Sequence, residues 1–215
     1  MEDSYRHKGM RRKLVNEIRK KGILDEKILD AIYRVPRHLF LDSGFLGYAY
    51  EDNPFPIGSG QTISQPYTVA FQTELLNVKP GTKILEIGTG SGYQACVLAS
   101  LGADVYSIER QKKLYEKACD LLPRLGFDIH LFYGDGYLGL PDYAPFDGIL
   151  ITAAAPDIPQ CLFDQLQIGG VLVSPVGSGG IQTMYRFTKE KNGTISKEKF
   201  GSFRFVPLLK DKADD

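Results

Sequence analysis

Lys83-Ile84-Leu85-Glu86-Ile87-Gly88-Thr89-Gly90-Ser91-Gly92-Tyr93 decides how this chain folds. Lys83–Ile87 is a short apolar run of strand type, Gln94–Leu101 reads as a helix, and alternate glycines join them. Gly88, Gly90 and Gly92 permit a tight turn and let a ligand approach the backbone, while the helix start offers unpaired N–H groups. A dinucleotide loop would run GxGxxG, but Tyr93 stands where its last glycine belongs. The spacing is GxGxG, with Glu86 two residues before the first glycine.

Strand and helix signals keep alternating downstream. Asp104–Ile108, Ile129–Tyr133, Phe146–Thr152 and Gly170–Pro175 read as strands, Lys112–Leu122 and Pro159–Leu166 as helices. Such alternation predicts right-handed βαβ units and an α/β fold, a doubly wound, mostly parallel sheet covered on both faces. The end changes character. Thr183–Thr188 and Phe200–Val206 flank Lys191-Asn192-Gly193, which predicts an antiparallel hairpin whose turn exceeds two residues.

Upstream, Met10, Leu14, Val15 and Ile18 give Arg6–Lys20 a helical period that Gly22 ends. Asp25 suits the cap of a second helix bearing Ile28, Leu29 and Ile32, which must stop near Val35-Pro36. From Phe40 to Tyr67 periodicity is lost, yet the aromatics there argue for an ordered, functional segment. Pro66 fits the first turn of a helix running through Val69–Leu76. A single domain over residues 1–215 is expected, with 1–66 a helical extension and substrate-side segment and 67–215 the α/β core.

The 215 residues suffice for one well-buried core, and 43% apolar with 24% charged residues is ordinary for a soluble globular protein. Lysine plus arginine equal aspartate plus glutamate at 26 each, so no overall field recruits nucleic acid or an anionic membrane. Arg11-Arg12-Lys13 with Lys20-Lys21 reads as a solvated helix face. Cys96, Cys119 and Cys161 show no metal-ligand spacing and suit buried free thiols in a reducing compartment. The polar N-terminus is unlike a signal peptide, and no apolar stretch approaches the ~20 residues of a membrane span. A cytoplasmic location is expected.

Two acidic residues follow the glycine loop at successive strand ends. Glu109 stands where a carboxylate accepts hydrogen bonds from ribose hydroxyls, and Asp135 in Gly134-Asp135-Gly136 ends the third strand. Their plainer alternatives are a surface carboxylate and a turn-forming Asx residue. Ser64, in Thr62-Ile63-Ser64-Gln65-Pro66, is either a cap for the helix beginning near Pro66 or a polar group facing the loop.

The GxGxG loop with Glu86 is the pattern of class I S-adenosylmethionine-dependent methyltransferases. Gly58–Ala70, Leu85–Ala99, Val35–Phe40, Tyr48-Ala49-Tyr50, Gly134–Gly136, Ala144–Asp147 and Pro175-Val176-Gly177 occur in order. Over most of its length the chain thereby resembles the protein-L-isoaspartate O-methyltransferases, least so before Val35 and after Gln182. The resemblance implies methyl transfer from S-adenosylmethionine to the free carboxylate of L-isoaspartyl residues in damaged proteins and peptides. The ester then closes to a succinimide, and hydrolysis returns part of the material to aspartate.

Carried onto this chain, the resemblance makes Ser64 the active-site residue. Thr62, Ile63, Glu86, Gly88, Gly90, Gly92, Glu109, Asp135, Gly136 and Gln182 fall to the cofactor, and Ile57, Ser64 and Val206 to the substrate. It implies no metal, no nucleic-acid or membrane partner, and a monomer. It also implies that the last two strands are exchanged relative to most methyltransferases, an order the sequence leaves open. Phe203–Val206 is a candidate extended edge for strand-like contact with peptide, or else an ordinary core strand. Cys96 departs from the small residue common at its position, with no consequence for the chemistry. His38 reads as packing or a local hydrogen bond.

The main alternative is a class I methyltransferase with a small-molecule or nucleic-acid acceptor. Thr152-Ala153-Ala154-Ala155-Pro156 lacks the Asn/Asp-Pro-Pro-aromatic run that holds a planar amine, which counts against nucleic acid. A binding module that keeps only the cofactor pocket is a further alternative, disfavoured by the intact Ser64 segment. Tyr93 disfavours a nicotinamide dehydrogenase.

Overall fold

The computed structural model describes residues 3–213. Helix α1 (Tyr5–Lys20) starts at Ser4, whose hydroxyl accepts the His7 N–H while His7 Nδ1 accepts the Ser4 N–H. It buries Leu14, Val15 and Ile18, the apolar stripe of the sequence. Helix α2 (Glu26–Arg34) is capped by the Asp25 carboxylate on the Lys27 N–H at 2.8 Å and stops at Val35, before Pro36.

The aperiodic segment that follows is ordered around buried polar groups. Arg37 is fully buried, and its Nε and Nη2 donate to the Ala49 and Asn53 carbonyls at 3.1 Å each. Its guanidinium lies 5.0 Å from the Tyr93 ring centroid, and burial pulls its pKa down to about 10. Arg11 donates to both oxygens of Asp3 at 2.7 Å and to the Tyr50 hydroxyl at 2.9 Å. That hydroxyl is 2.6 Å from Nδ1 of the buried His38, so His38 makes the local hydrogen bond expected of it.

A two-stranded hairpin, β1 (Phe55–Gly58) and β2 (Gln61–Ile63), then leads into α3 (Pro66–Leu76). Gly58, Ser59 and Gly60 all take positive φ at its turn, a conformation that glycine adopts without steric penalty. This hairpin was not legible in the sequence. Its strands are too short for alternation to show.

The core alternates as anticipated: β3 (Lys83–Ile87), α4 (Tyr93–Ser100), β4 (Asp104–Glu109), α5 (Lys112–Arg124), β5 (His130–Tyr133), β6 (Phe146–Ile151), α6 (Gln160–Asp164), β7 (Leu166–Val176). Strands β8 (Gln182–Lys189) and β9 (Ile195–Phe203) complete a seven-stranded sheet of order β5-β4-β3-β6-β7-β8-β9. The first five are parallel, and β8 and β9 follow in chain order, each pairing antiparallel with the strand before it. Strand order, not strand direction, reverses between β3 and β6, the switch point where open α/β sheets leave a crevice beyond their carboxyl ends. One apolar cluster joins α1 and α2 to α3, α4 and α5, so the N-terminal helices share a core with the sheet's helices.

The last strand differs from expectation. It runs Ile195–Phe203 rather than Phe200–Val206, because an edge strand can carry the polar Ser196-Lys197-Glu198-Lys199 with one side in water. Val206 lies beyond it. Its carbonyl accepts the Ala154 N–H at 2.7 Å, and Ala154 in turn accepts the Leu208 N–H at 2.8 Å. The β8–β9 turn is held by Gly193 N–H to Glu190 O and Glu190 N–H to Thr194 O, both 2.8 Å. Asn192 and Gly193 are exposed at its tip, and Asn192 Oδ1 accepts from the Thr194 N–H and hydroxyl.

Candidate functional site

Two open clefts meet at the switch point. The first, about 780 Å³ counted out to solvent, lies over the glycine loop between β3 and α4. Gly88 has φ +98°, and a Cβ there would sit 2.6 Å from Thr152 Oγ1. That hydroxyl is itself fixed, 2.9 Å from the Ile87 carbonyl and 2.7 Å from that of Gly88. Gly136 also lines the cleft, and a Cβ there would sit 2.4 Å from Ile87 Cγ2. Packing therefore requires glycine at both positions, since a side chain at either would strike Thr152 or Ile87.

Glu109, at the end of β4, faces the same cleft. Its Oε2 accepts the Gly90 N–H at 2.7 Å and its Oε1 the Gln111 N–H at 2.8 Å. Burial raises its pKa, and the two backbone N–H groups partly oppose that shift. Each oxygen keeps a second lone pair for a hydroxyl donor. The far wall is Pro207, Leu208 and Leu209, which no local pattern in the sequence marked as part of a site.

The second cleft, about 1270 Å³ on the same measure, runs from Lys21 and Tyr67 to residues 202–206. Thr62, Ser64, Thr152 and Val206 line both clefts and form the boundary between them. Ser64 is half-buried, and its hydroxyl has no hydrogen-bond partner among the described residues. It is not the cap of α3. The residue at that position is Gln65, and the Tyr67 N–H is taken by Asp52 Oδ1 at 2.7 Å.

Of the residues expected at the site, the first cleft gathers Thr62, Ile63, Ser64, Gly88, Gly90, Glu109, Gly136 and Val206. The others stand elsewhere. Glu86 points to the opposite face of β3 from Ile87, fully buried, accepting from the Ser107 hydroxyl, which is 2.6 Å from the Thr89 hydroxyl. Burial pushes its pKa up to about 8. Gly92 starts α4, with φ +86°, where a Cβ would strike Leu122 at 2.7 Å, so it serves helix packing.

Asp135 accepts the Tyr137 N–H at 2.8 Å and the Asp211 N–H at 3.0 Å, an Asx turn that also anchors the C-terminal segment. Gln182 accepts the Phe205 N–H at 2.9 Å and donates to the Gly179 carbonyl, away from the first cleft. Ile57 packs behind Gly90 and lines a neighbouring cavity with Leu41 and Leu114.

A parallel sheet with a GxGxG turn, a strand-end carboxylate and a glycine-lined cleft at the switch point defines a class I methyltransferase. These residues fit S-adenosylmethionine, which needs a diol acceptor and close backbone approach but no pyrophosphate seat. A family model for protein-L-isoaspartate(D-aspartate) O-methyltransferase matches residues 9–213. The protein-L-isoaspartate O-methyltransferase of Christiangramia forsetii is 57% identical, with 99% of this chain and 100% of that protein covered. That of Flavobacterium psychrophilum is 58% identical with the same coverage.

A solved protein-L-isoaspartate O-methyltransferase superposes with TM-score 0.84 at 31% identity, over 94% of this chain and 66% of that one. A Plasmodium falciparum structure described as a protein-L-isoaspartate O-methyltransferase in complex with S-adenosyl-L-homocysteine gives TM-score 0.80 at 28% identity, covering 93% and 98%. The chain belongs to the protein-L-isoaspartate(D-aspartate) O-methyltransferase family. It is an S-adenosylmethionine-dependent enzyme that methylates isoaspartyl residues.

Proposed function

We propose that the transfer takes place at the boundary formed by Thr62, Ser64, Thr152 and Val206, with cofactor in the first cleft and damaged peptide in the second. The observation that carries this reading is the four-residue wall common to both clefts. S-adenosylmethionine supplies an electrophilic methyl group on a sulfonium centre. The remaining work falls to the chain's own residues.

Glu109 holds a ribose diol with the lone pairs left free by Gly90 and Gln111. The turn at Gly88 and Gly90 admits the ligand against bare backbone. The acceptor is a carboxylate with a reference pKa near ~3.9, already ionised at neutral pH, so no general base is needed. The unpartnered Ser64 hydroxyl donates to that carboxylate and fixes its direction of approach. Thr152 spends its proton on the Ile87 and Gly88 carbonyls, and it shapes the passage without competing for the acceptor.

Residues 1–66 and 67–215 work as one catalytic unit on this reading. Isoaspartyl-containing proteins and peptides are its partners, with no nucleic acid or membrane involved and the enzyme acting as a monomer. Among the described residues no helix is long and apolar enough to cross a membrane. Ser64→Ala removes one hydrogen bond to a charged group, about 1.5–3 kcal/mol. Turnover of an isoaspartyl peptide should fall roughly ten- to a hundredfold while S-adenosylhomocysteine affinity holds. Wild-type turnover in that variant removes Ser64 from the site. A matched aspartyl peptide serves as the acceptor control, and label transferred to it as well would refute selectivity for isoaspartate.

A further inference from the structure

We infer that Asp52 is a positioning residue for the acceptor side, setting Ser64 and the wall beside it through a three-way clamp. The inference rests on the acceptor groove proposed above. The Asp52 side chain is 2% exposed. Its Oδ1 accepts the Tyr67 N–H at 2.7 Å, and its Oδ2 accepts Gln65 Nε2 at 3.0 Å together with the Lys21 ammonium. Lys21 directly follows α1, whereas Gln65 and Tyr67 belong to the start of α3.

All three partners line the acceptor groove, and neither they nor Asp52 line the cofactor cleft. Ser64 directly precedes Gln65, and no side-chain hydrogen bond ties its hydroxyl to the described residues. Its placement therefore comes from the backbone on either side. Upstream that backbone is the buried Ile63 of β2; downstream it is the turn that Asp52 grips. Asp52 is itself anchored, because the buried Arg37 holds the carbonyls of Ala49 and Asn53 around it.

A carboxylate is the right group for this clamp. All three partners are donors, and an ionised carboxylate only accepts. It also stands at the N-terminus of α3, where negative charge is favoured. An amide would have to turn its NH₂ toward Gln65 and Lys21, opposing donor to donor.

The test compares Asp52→Ala, Asp52→Asn, Ser64→Ala and the double variant Ser64→Ala/Asp52→Ala. Each is measured for kcat and KM with an isoaspartyl peptide, S-adenosylhomocysteine affinity by calorimetry, and melting temperature. Misplacing a contact by about 1 Å can cost roughly 10²-fold, so Asp52→Ala should lower kcat/KM on that order with cofactor affinity unchanged. Asp52→Asn keeps an acceptor for the Tyr67 N–H and should lose less; it also serves if the alanine variant does not fold. In the Ser64→Ala background Asp52→Ala should add little, because the contact it positions is already gone.

Fully additive losses in the double variant, or a matching loss of cofactor affinity, overturn the inference. Normal turnover in both Asp52 variants beside an impaired Ser64→Ala overturns it alone. Wild-type turnover in Ser64→Ala removes the groove reading and this inference with it.

Discussion

Glu86 and Glu109 are both strand-end carboxyls beside the glycine loop, and strand alternation gives them opposite surroundings. Glu109 meets backbone N–H groups and the cleft, whereas Glu86 meets Ser107 in a sealed layer. With its pKa pushed up to about 8, Glu86 keeps its proton at neutral pH in the folded enzyme and loses it near 4.5 once unfolded. The folded state then binds more protons between those values. Its contribution to stability is complete below the unfolded value and is lost as pH rises through the window, at up to about 1.4 kcal/mol per pH unit. Glu86→Gln mimics the neutral group and should flatten that part of the profile, leaving whatever Glu109 contributes. Urea unfolding of both proteins between pH 5 and 8 checks this (a window set by the two values); identical slopes would show that Glu86 is ionised inside.

The irregular C-terminal segment behaves as an element in its own right. Arg110 donates to the Asp211 and Lys210 carbonyls at 2.8 and 3.2 Å, and Lys112 N–H to the Ala213 carbonyl at 3.0 Å. The Tyr137 hydroxyl donates to the Leu208 carbonyl at 3.3 Å. These bonds lay Pro207, Leu208 and Leu209 over the cofactor cleft. Ending the chain at Val206 should weaken S-adenosylhomocysteine binding by about ten- to a hundredfold, the worth of one buried leucine contact at 1.5–3 kcal/mol. Calorimetric titration decides it, and unchanged affinity would mean that the segment is no wall of the site. The β3–turn–α4 unit was readable because period, glycine spacing and helix start all agree there. This segment was not, because long-range backbone bonds to Arg110 and Tyr137 hold it and no periodicity records them. Gln182 is held in the same long-range way, buried in a polar clamp on Gly179 and Phe205.

Across the whole molecule, the parallel pairing of the first five strands follows from helices alternating with most of the apolar strands, a signal the sequence carries, whereas their order is visible only in the structure. The acceptor side was legible as an aromatic-rich stretch and as the Ser64 segment, but not in its internal order, which comes from Arg37 and Asp52 reaching across chain segments distant in sequence. The exposed β8–β9 turn adds a consequence for how this enzyme ages. At Asn192 the side-chain amide precedes a glycine, the least hindered backbone nitrogen for ring closure with loss of ammonia, and water then opens the ring to isoaspartate. The Gly193 N–H that must attack is hydrogen-bonded to the Glu190 carbonyl, a contact that has to open before the ring can close. Stored enzyme should accordingly become a methyl acceptor for freshly prepared enzyme, with the label mapping to residue 192 and absent from an Asn192→Ser variant. A repair catalyst would thus carry, on its own surface, a clock written in the lesion it removes from others.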